Sequence, residues 1–189
     1  MSQTMDMTVS QVARSTTVAR IIDTAARLLA ARQNASIAEI AAAAGVSRGT
    51  IYRHFPTRGA LLRTLADSAS TEAKQRLQDA NLESVPIEDG IGRATRALVA
   101  VGNRYPATLQ DPTILGTENP AIREPLTTLL QRGQADGRIR SDVALDCLLE
   151  SLLALVTACL RSGSHHGHGT EDISATIVRL FLQGATEPT

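Results

Sequence analysis

Apolar residues recur every three or four positions along most of the chain, which is the spacing of helices that bury one face. In residues 17–31, for example, Ile21, Ala25 and Leu29 share a face and the arginines lie elsewhere. No segment alternates β-branched and polar residues as a half-buried strand would. The pattern therefore predicts an all-α protein.

Between residues 36 and 55 the pattern indicates two short helices. Ser36 with Glu39 three positions later is typical of a capping box, and Gly45 is suited to end the first helix in a left-handed conformation. Ser47 is the expected cap of the second helix, and Pro56 ends it. A longer helix follows to about residue 78. This order predicts a helix-turn-helix.

Beyond residue 80 we expect about five further helices, interrupted near residues 84–86, 105–120 and 133–141. The helix predicted at 142–161 is apolar on more than one face, and the one at 171–183 carries a single apolar stripe. Since one chain of this size has few places to bury both, we expect a homodimer. The candidate interface residues are Leu145, Leu149, Leu152, Leu153, Val156, Ile173, Ile177, Leu180 and Phe181.

Charge divides the chain into two unlike parts, although its 189 residues have a formal net charge of zero. Residues 10–65 hold eight arginines and two acidic residues, a net charge of +6, whereas residues 66–189 have a net charge of −5. A basic head on an acidic body is expected when one end of a protein meets phosphate.

The second short helix carries the side chains that duplex DNA would require. Arg48 can bind a guanine edge or a phosphate, Thr50 can contact a base edge, and Gly49 allows close approach. Tyr52, His54 and Arg58 can donate to phosphate oxygens. The complete set of candidate DNA-binding residues is Ser36, Ser47, Arg48, Gly49, Thr50, Tyr52, Arg53, His54 and Arg58.

Residues 44–56 read AGVSRGTIYRHFP, which resembles the motif A-G-V-S-x-G-T-[IL]-Y-x-H-F-P of the tetracycline-repressor (TetR) family. The resemblance implies a three-helix DNA-binding head at residues 11–71 and a ligand-binding and dimerisation body at 72–189. It also implies a repressor that binds an inverted-repeat operator as a dimer and is released by a small-molecule effector. Family members usually have Lys at the position of Arg58 and an acidic residue next, whereas this chain has Gly59.

The body's effector pocket would normally lie between helices near residues 86–104 and 119–135. The apolar residues offered there are Ile91, Leu98, Val101, Leu126, Leu129 and Leu130. The alternative is that these residues form solid core. The sequence does not identify the effector, and no cofactor is expected.

Two other functions are open to this sequence. A DNA-binding protein without an effector, acting on DNA architecture or with a protein partner, is one. The other is a hydrolase, because residues 45–49 match the G-x-S-x-G elbow with Ser47 as nucleophile, but that elbow needs a preceding strand and residues 41–44 are expected to be helical.

The remaining candidate features favour ordinary structure. His165, His166 and His168 could hold a metal ion, yet a glycine-rich solvated loop is the simpler interpretation, so no metal site is predicted. Cys147 and Cys159 are expected to be small core residues that do not bond to each other. We expect no membrane span, and the polar N-terminus suggests a cytoplasmic protein.

Overall fold

The computed structural model describes residues 2–108, 119–161 and 169–185, and side chains within 16–108, 119–161 and 169–184. The described residues form α-helices and two short 3-10 turns and contain no strand, so the predicted all-α class is confirmed. The helices are α1 Ser2–Ala31, α2 Ile37–Ala43, α3 Arg48–His54, α4 Arg58–Asp79, α5 Ile87–Arg104, α6 Pro120–Ala135, α7 Leu145–Arg161 and α8 Thr170–Ala185. The 3-10 turns span Leu82–Ser84 and Pro106–Thr108.

The chain divides into two compact units, one ending at Leu65 and the other beginning at Ala66. We call the first unit the head and the second the body. The division falls six residues before the boundary expected at 71, inside α4, which belongs to both units.

The head packs α1, α2, α3 and the start of α4 around one small apolar core. Ile21 and Leu29 of α1, Ile40 of α2 and Ile51 of α3 are each no more than 1% exposed. Helix α1 begins at Ser2, about fifteen residues before the predicted start, because neither proline nor glycine interrupts residues 2–31.

The body is built around α5, which packs against α6, α7 and α8. Ten of the eighteen residues of α5 are buried, and none of its charged residues is among them. Helix α7 also packs against α6 and α8. Two faces of α7 therefore meet neighbours within the same chain.

Gly133 lies inside α6 and does not end the helix, in contrast to the break expected from residue 133 onward. A Cβ atom at this position would lie 2.6 Å from Cγ1 of Ile139 and 3.1 Å from Cγ2 of Ile87. The glycine is needed because the two isoleucines approach the backbone of α6 so closely.

Candidate nucleic-acid interface

Two serine caps define the helix-turn-helix. The hydroxyl of Ser36 accepts a hydrogen bond from the backbone N–H of Glu39 at 3.2 Å, and the Glu39 carboxylate accepts one from the backbone N–H of Ser36 at 2.7 Å. The bond from the Ser36 backbone N–H is the largest cause that holds the pKa of Glu39 below its ordinary value, and hydrogen bonds from the Ser36 hydroxyl and Arg32 to the carboxylate lower it further. The predicted capping box is therefore present.

The turn between α2 and α3 follows the predicted chemistry. Gly45 has a φ of +65°, a backbone conformation that residues other than glycine rarely adopt. Ser47 then caps α3 by accepting the backbone N–H of Thr50 at 3.1 Å. The local sequence thus sets both the end of α2 and the start of α3.

Helix α3 buries one face and presents the other to solvent. Ile51 and Phe55 are buried, while Arg48, Gly49 and Arg53 are exposed. Tyr52 is 47% exposed, and Thr50 and His54 are half-buried. The side chains predicted to contact DNA therefore lie mainly on the outward face of α3.

The hydroxyl groups at the start of each helix already have partners. Ser36 Oγ lies 2.9 Å from the Glu39 carboxylate, and Ser47 Oγ lies 2.9 Å from Oγ1 of Thr50. Ser36 and Ser47 thus serve as caps, and Thr50 keeps hydrogen-bonding capacity for a base edge, because a hydroxyl has one donor and two acceptor sites. Their predicted roles in DNA binding remain predictions.

Four arginines of the head form neither an ion pair nor a hydrogen bond with any part of the chain that the structure describes. They are the exposed residues Arg20, Arg48, Arg53 and Arg63. Two other head arginines are paired, Arg27 with Asp23 and Arg32 with Glu39. The outward face of α3 therefore carries two unneutralised guanidinium groups.

Arg58 makes contacts that the sequence did not reveal. Its Nη1 donates to the carbonyl of Ala35, and its Nη2 donates to the carbonyl of Gln33 at 2.7 Å. Both carbonyls belong to the turn between α1 and α2, more than twenty residues away along the chain. No local pattern could have predicted this, because the bonds depend on the tertiary fold.

The apolar residues of α7 and α8 lie largely inside the single chain. Seven of the nine candidate interface residues are no more than 4% exposed: Leu149, Leu152, Leu153, Val156, Ile173, Ile177 and Phe181. Leu145 is half-buried and Leu180 is 51% exposed. These residues are buried where α7 packs against α5, α6 and α8, and where α8 packs against α5 and α7. Their predicted role at a dimer interface stays a prediction.

A different face of α7 remains open. Cys147, Ser151, Ala154 and Ala158 are exposed, and their spacing of four, three and four residues places them on one side of the helix. On α8, Leu180 is a large apolar residue that is exposed.

The six predicted pocket residues are also core. Ile91, Leu98, Val101, Leu126, Leu129 and Leu130 are each no more than 2% exposed. Leu129 alone among them borders a groove, of about 780 Å³, between the second half of α4, the first 3-10 turn and α6. The floor of this groove includes Leu77, Leu82 and Leu129, and polar residues such as Gln78 and Glu124 also line it.

Comparison with known proteins identifies the family of the DNA-binding domain. The model of bacterial regulatory proteins of the TetR family matches residues 21–65, which lie within the head and include the helix-turn-helix. The head therefore carries the DNA-binding domain of the TetR family. The relatives that the chain matches are transcriptional regulators and not enzymes.

Relatives of this chain extend the similarity beyond the head. It is 27% identical over 176 residues to the transcriptional regulator NfxB of Pseudomonas aeruginosa, covering 89% of this chain and 94% of NfxB. It is 33% identical over 103 residues to the transcriptional repressor LfrR of Mycolicibacterium smegmatis, covering 54% of each protein. Both relatives are helix-turn-helix regulators by name.

A solved structure shares the whole architecture. The crystal structure of LfrR from Mycobacterium smegmatis in complex with proflavine superposes with a TM-score of 0.71 and 24% sequence identity, covering 93% of this chain and 99% of that one. At this identity the match shows the TetR-like fold, including the body, which the family model does not cover.

The structure also tests several alternative interpretations of the sequence. Ser47 follows helix α2 and the turn after it, so the strand that a hydrolase elbow requires is not there.

The other candidate residues are placed as follows. Cys147 is exposed, which corrects the expectation of a core residue, whereas Cys159 is half-buried and burial raises its pKa. His165, His166 and His168 lie outside the described residues, and the described helices include none long and apolar enough to cross a membrane.

Proposed function

We propose that this protein is a TetR-family repressor that binds an inverted-repeat operator as a homodimer and leaves it when a small organic molecule binds the body. The observation that carries the proposal is the outward face of α3, where Arg48, Tyr52 and Arg53 are exposed and the two arginines have no partner among the described residues. An α-helix with such a face fits the DNA major groove.

Sequence preference would come from Arg48 and Thr50, near the N-terminus of α3. A recognition helix usually contacts bases with its N-terminal residues. Arg53, Tyr52 and His54 lie further along α3 and would contact phosphates, which position the protein without reading sequence.

The homodimer would use the exposed side of α7 with Leu180 of α8, in place of the buried residues that the sequence suggested. Small side chains at Ser151, Ala154 and Ala158 would let a second copy of α7 approach closely. Ala154→Arg should therefore give monomers in sedimentation, with weaker operator binding because half-sites about 34–36 Å apart require two linked heads. Ala43→Arg, at an exposed alanine of α2, is the control and should leave the dimer intact.

The effector would bind the groove beside α4. Its volume of about 780 Å³ is within the range of small-molecule sites, and LfrR, whose fold this chain shares, was crystallised with proflavine. Because α4 begins in the head at Arg58, a ligand that shifts α4 would disturb the DNA-binding surface. The coupling must be reciprocal: a hundredfold loss of operator affinity, about 2.7 kcal/mol, implies an equal loss of effector affinity on DNA.

Two glutamines of α4 provide a matched test of the groove. Gln78 lines it, whereas Gln75 is exposed on the same helix and does not. With proflavine as the probe, Gln78→Trp should reduce ligand-driven release of DNA and Gln75→Trp should not. If both variants respond like the parent protein, the effector does not use this groove.

The overall proposal is tested by selecting bound duplexes from a random library and footprinting the protein on the result. A single short palindrome protected on both half-sites supports the dimeric repressor. Broad, sequence-independent coverage would instead support a DNA-binding protein with an architectural role. Operator binding that no tested small molecule changes would favour the effector-free alternative.

A further inference from the structure

The first turns of α4 contain two arginines in very different surroundings. Arg58 is half-buried, and its two terminal nitrogens donate to the carbonyls of Ala35 and Gln33. Arg63, five residues later, is exposed and has no hydrogen bond or ion pair within the described residues. The guanidinium of Arg58 therefore bonds to the protein itself, and that of Arg63 can bind a partner from outside.

The contacts of Arg58 fasten α4 to the turn that precedes the helix-turn-helix. Ala35 is buried, and a buried carbonyl without a hydrogen bond destabilises a fold. A guanidinium can reach two carbonyls at once because its donors form a planar fork, whereas the compact ammonium of lysine lacks that fork. Arg58 therefore positions the start of α2.

Gly59 explains why Arg63 is free. A Cβ atom at position 59 would lie 3.6 Å from Nη1 of Arg63, so the guanidinium of Arg63 extends back over Gly59 toward the start of α4. Residues 59 and 63 are four apart, the spacing at which an acidic side chain pairs with an arginine on a helix. With glycine at 59, no such pair neutralises Arg63.

We propose that the two arginines divide the work of DNA binding: Arg63 contacts a DNA phosphate from the first turns of α4, and Arg58 positions the turn between α1 and α2. Gly59 allows these separate roles, because a glycine at this position leaves the charge of Arg63 unpaired. The proposal deepens the function proposed above and rests on it, because it assumes that the head binds duplex DNA.

The salt dependence of DNA binding separates the two roles. Each phosphate contact contributes about 0.9 to the slope of log affinity against log salt concentration. Arg63→Ala should therefore flatten the slope by about 0.9 per head and weaken binding about tenfold, without changing the melting temperature. Arg58→Lys, which keeps the charge, should lower the melting temperature and leave the slope unchanged.

Gly59 gives a test in which stability and binding change in opposite directions. A Cβ atom added at position 59 would meet its neighbours only at ordinary contact distances, so a side chain fits there. Gly59→Glu should raise the melting temperature by about 2 °C, since glutamate favours helices and suits a helix N-terminus, yet weaken DNA binding and flatten its slope. Gly59→Ala should give a similar stabilisation with unchanged binding.

The experiment is fluorescence anisotropy of the full chain with a 30-base-pair duplex of random sequence at a series of salt concentrations. Lys74→Ala is the control, because Lys74 is another exposed cation of α4 without a described partner. The parent protein is measured first, and absence of binding there would contradict the proposed function itself. With the parent binding, an unchanged slope in Arg63→Ala, or equal binding by Gly59→Glu and Gly59→Ala, would overturn the division of roles.

Discussion

The head and the body use their positive charges differently. In the described head, four of the seven arginines are without a partner, whereas eight of the eleven basic residues of the body donate to a carboxylate or a backbone carbonyl. Arg132 of the body, for example, donates to the carbonyls of Leu82, Glu83 and Val85. Most arginines of the body therefore bond to the protein itself. In the head, four guanidinium groups have no partner within the described residues and can bind a separate molecule.

The largest expected effect comes from removing the free charges of α3. The double variant Arg48→Ala, Arg53→Ala should lower DNA affinity at least a hundredfold, about 3 kcal/mol or more, because two charged contacts are lost. Its melting temperature should hardly change. Anisotropy titrations and thermal unfolding measure the two effects.

The matched double variant in the body is Arg138→Ala, Arg140→Ala. Arg138 pairs with Glu88 at 2.7 Å and Arg140 with Asp142 at 2.6 Å, both near the surface. Because exposed ion pairs contribute little, this variant should lose up to about 1 kcal/mol of stability for each pair and keep its DNA affinity. A loss of DNA affinity equal to that of the head variant would contradict the comparison.

Packing in the body gives the next largest effect. Gly133→Ala should destabilise by about 1–3 kcal/mol, because the new methyl group would overlap the rigid, buried side chain of Ile139. Gly92→Ala, in α5 with no atom within 4 Å of the added Cβ, should stabilise by up to about 1 kcal/mol. Chemical denaturation should therefore give opposite signs for the two variants, and equal signs would show that the close approach at Gly133 is wrong.

The sequence could predict local contacts in this protein and could not predict contacts between distant segments. The caps of α2 and α3 were predictable because Ser36, Glu39, Gly45 and Ser47 act within a few residues of each other along the chain. The carbonyl contacts of Arg58 were not, since they join residues brought together only by the fold.

The sequence also could not predict which face of α7 is buried within the same chain. Leucines surround the helix on more than one side, and periodicity cannot tell whether α5, α6 or a second chain covers a given leucine. The same ambiguity affected Ile91 and Leu98, where an apolar stripe on α5 fits a pocket wall and a solid core equally well.

A cap in the head should have a moderate effect. Ser36→Ala removes the oxygen that accepts the Glu39 N–H and should cost about 1 kcal/mol of stability. Ser36→Asp supplies another acceptor for that N–H and should recover much of the loss. If unfolding of Ser36→Ala matches that of the parent protein, the capping box does not stabilise the head.

The smallest expected effect is a pH dependence in the same cap. The pKa of Glu39 is lowered in the folded chain, chiefly by the Ser36 N–H and also by Arg32, so its ionised form stabilises the head above the pKa of the unfolded chain. That contribution is lost as the pH falls through the lowered pKa. Glu39→Gln should therefore show a weaker loss of stability with acid, as measured by thermal unfolding from neutral to acidic pH.

The most direct test of the account follows the arginine side chains themselves when DNA is added. In a protein labelled with ¹⁵N, the Nε–H signals of Arg48, Arg53 and Arg63 should shift and exchange more slowly with water on titration with duplex DNA. Signals of body residues such as Arg132 and Arg138 should stay in place. Shifts confined to the body arginines, with those of the head unchanged, would contradict the claim that the free arginines of the head bind DNA.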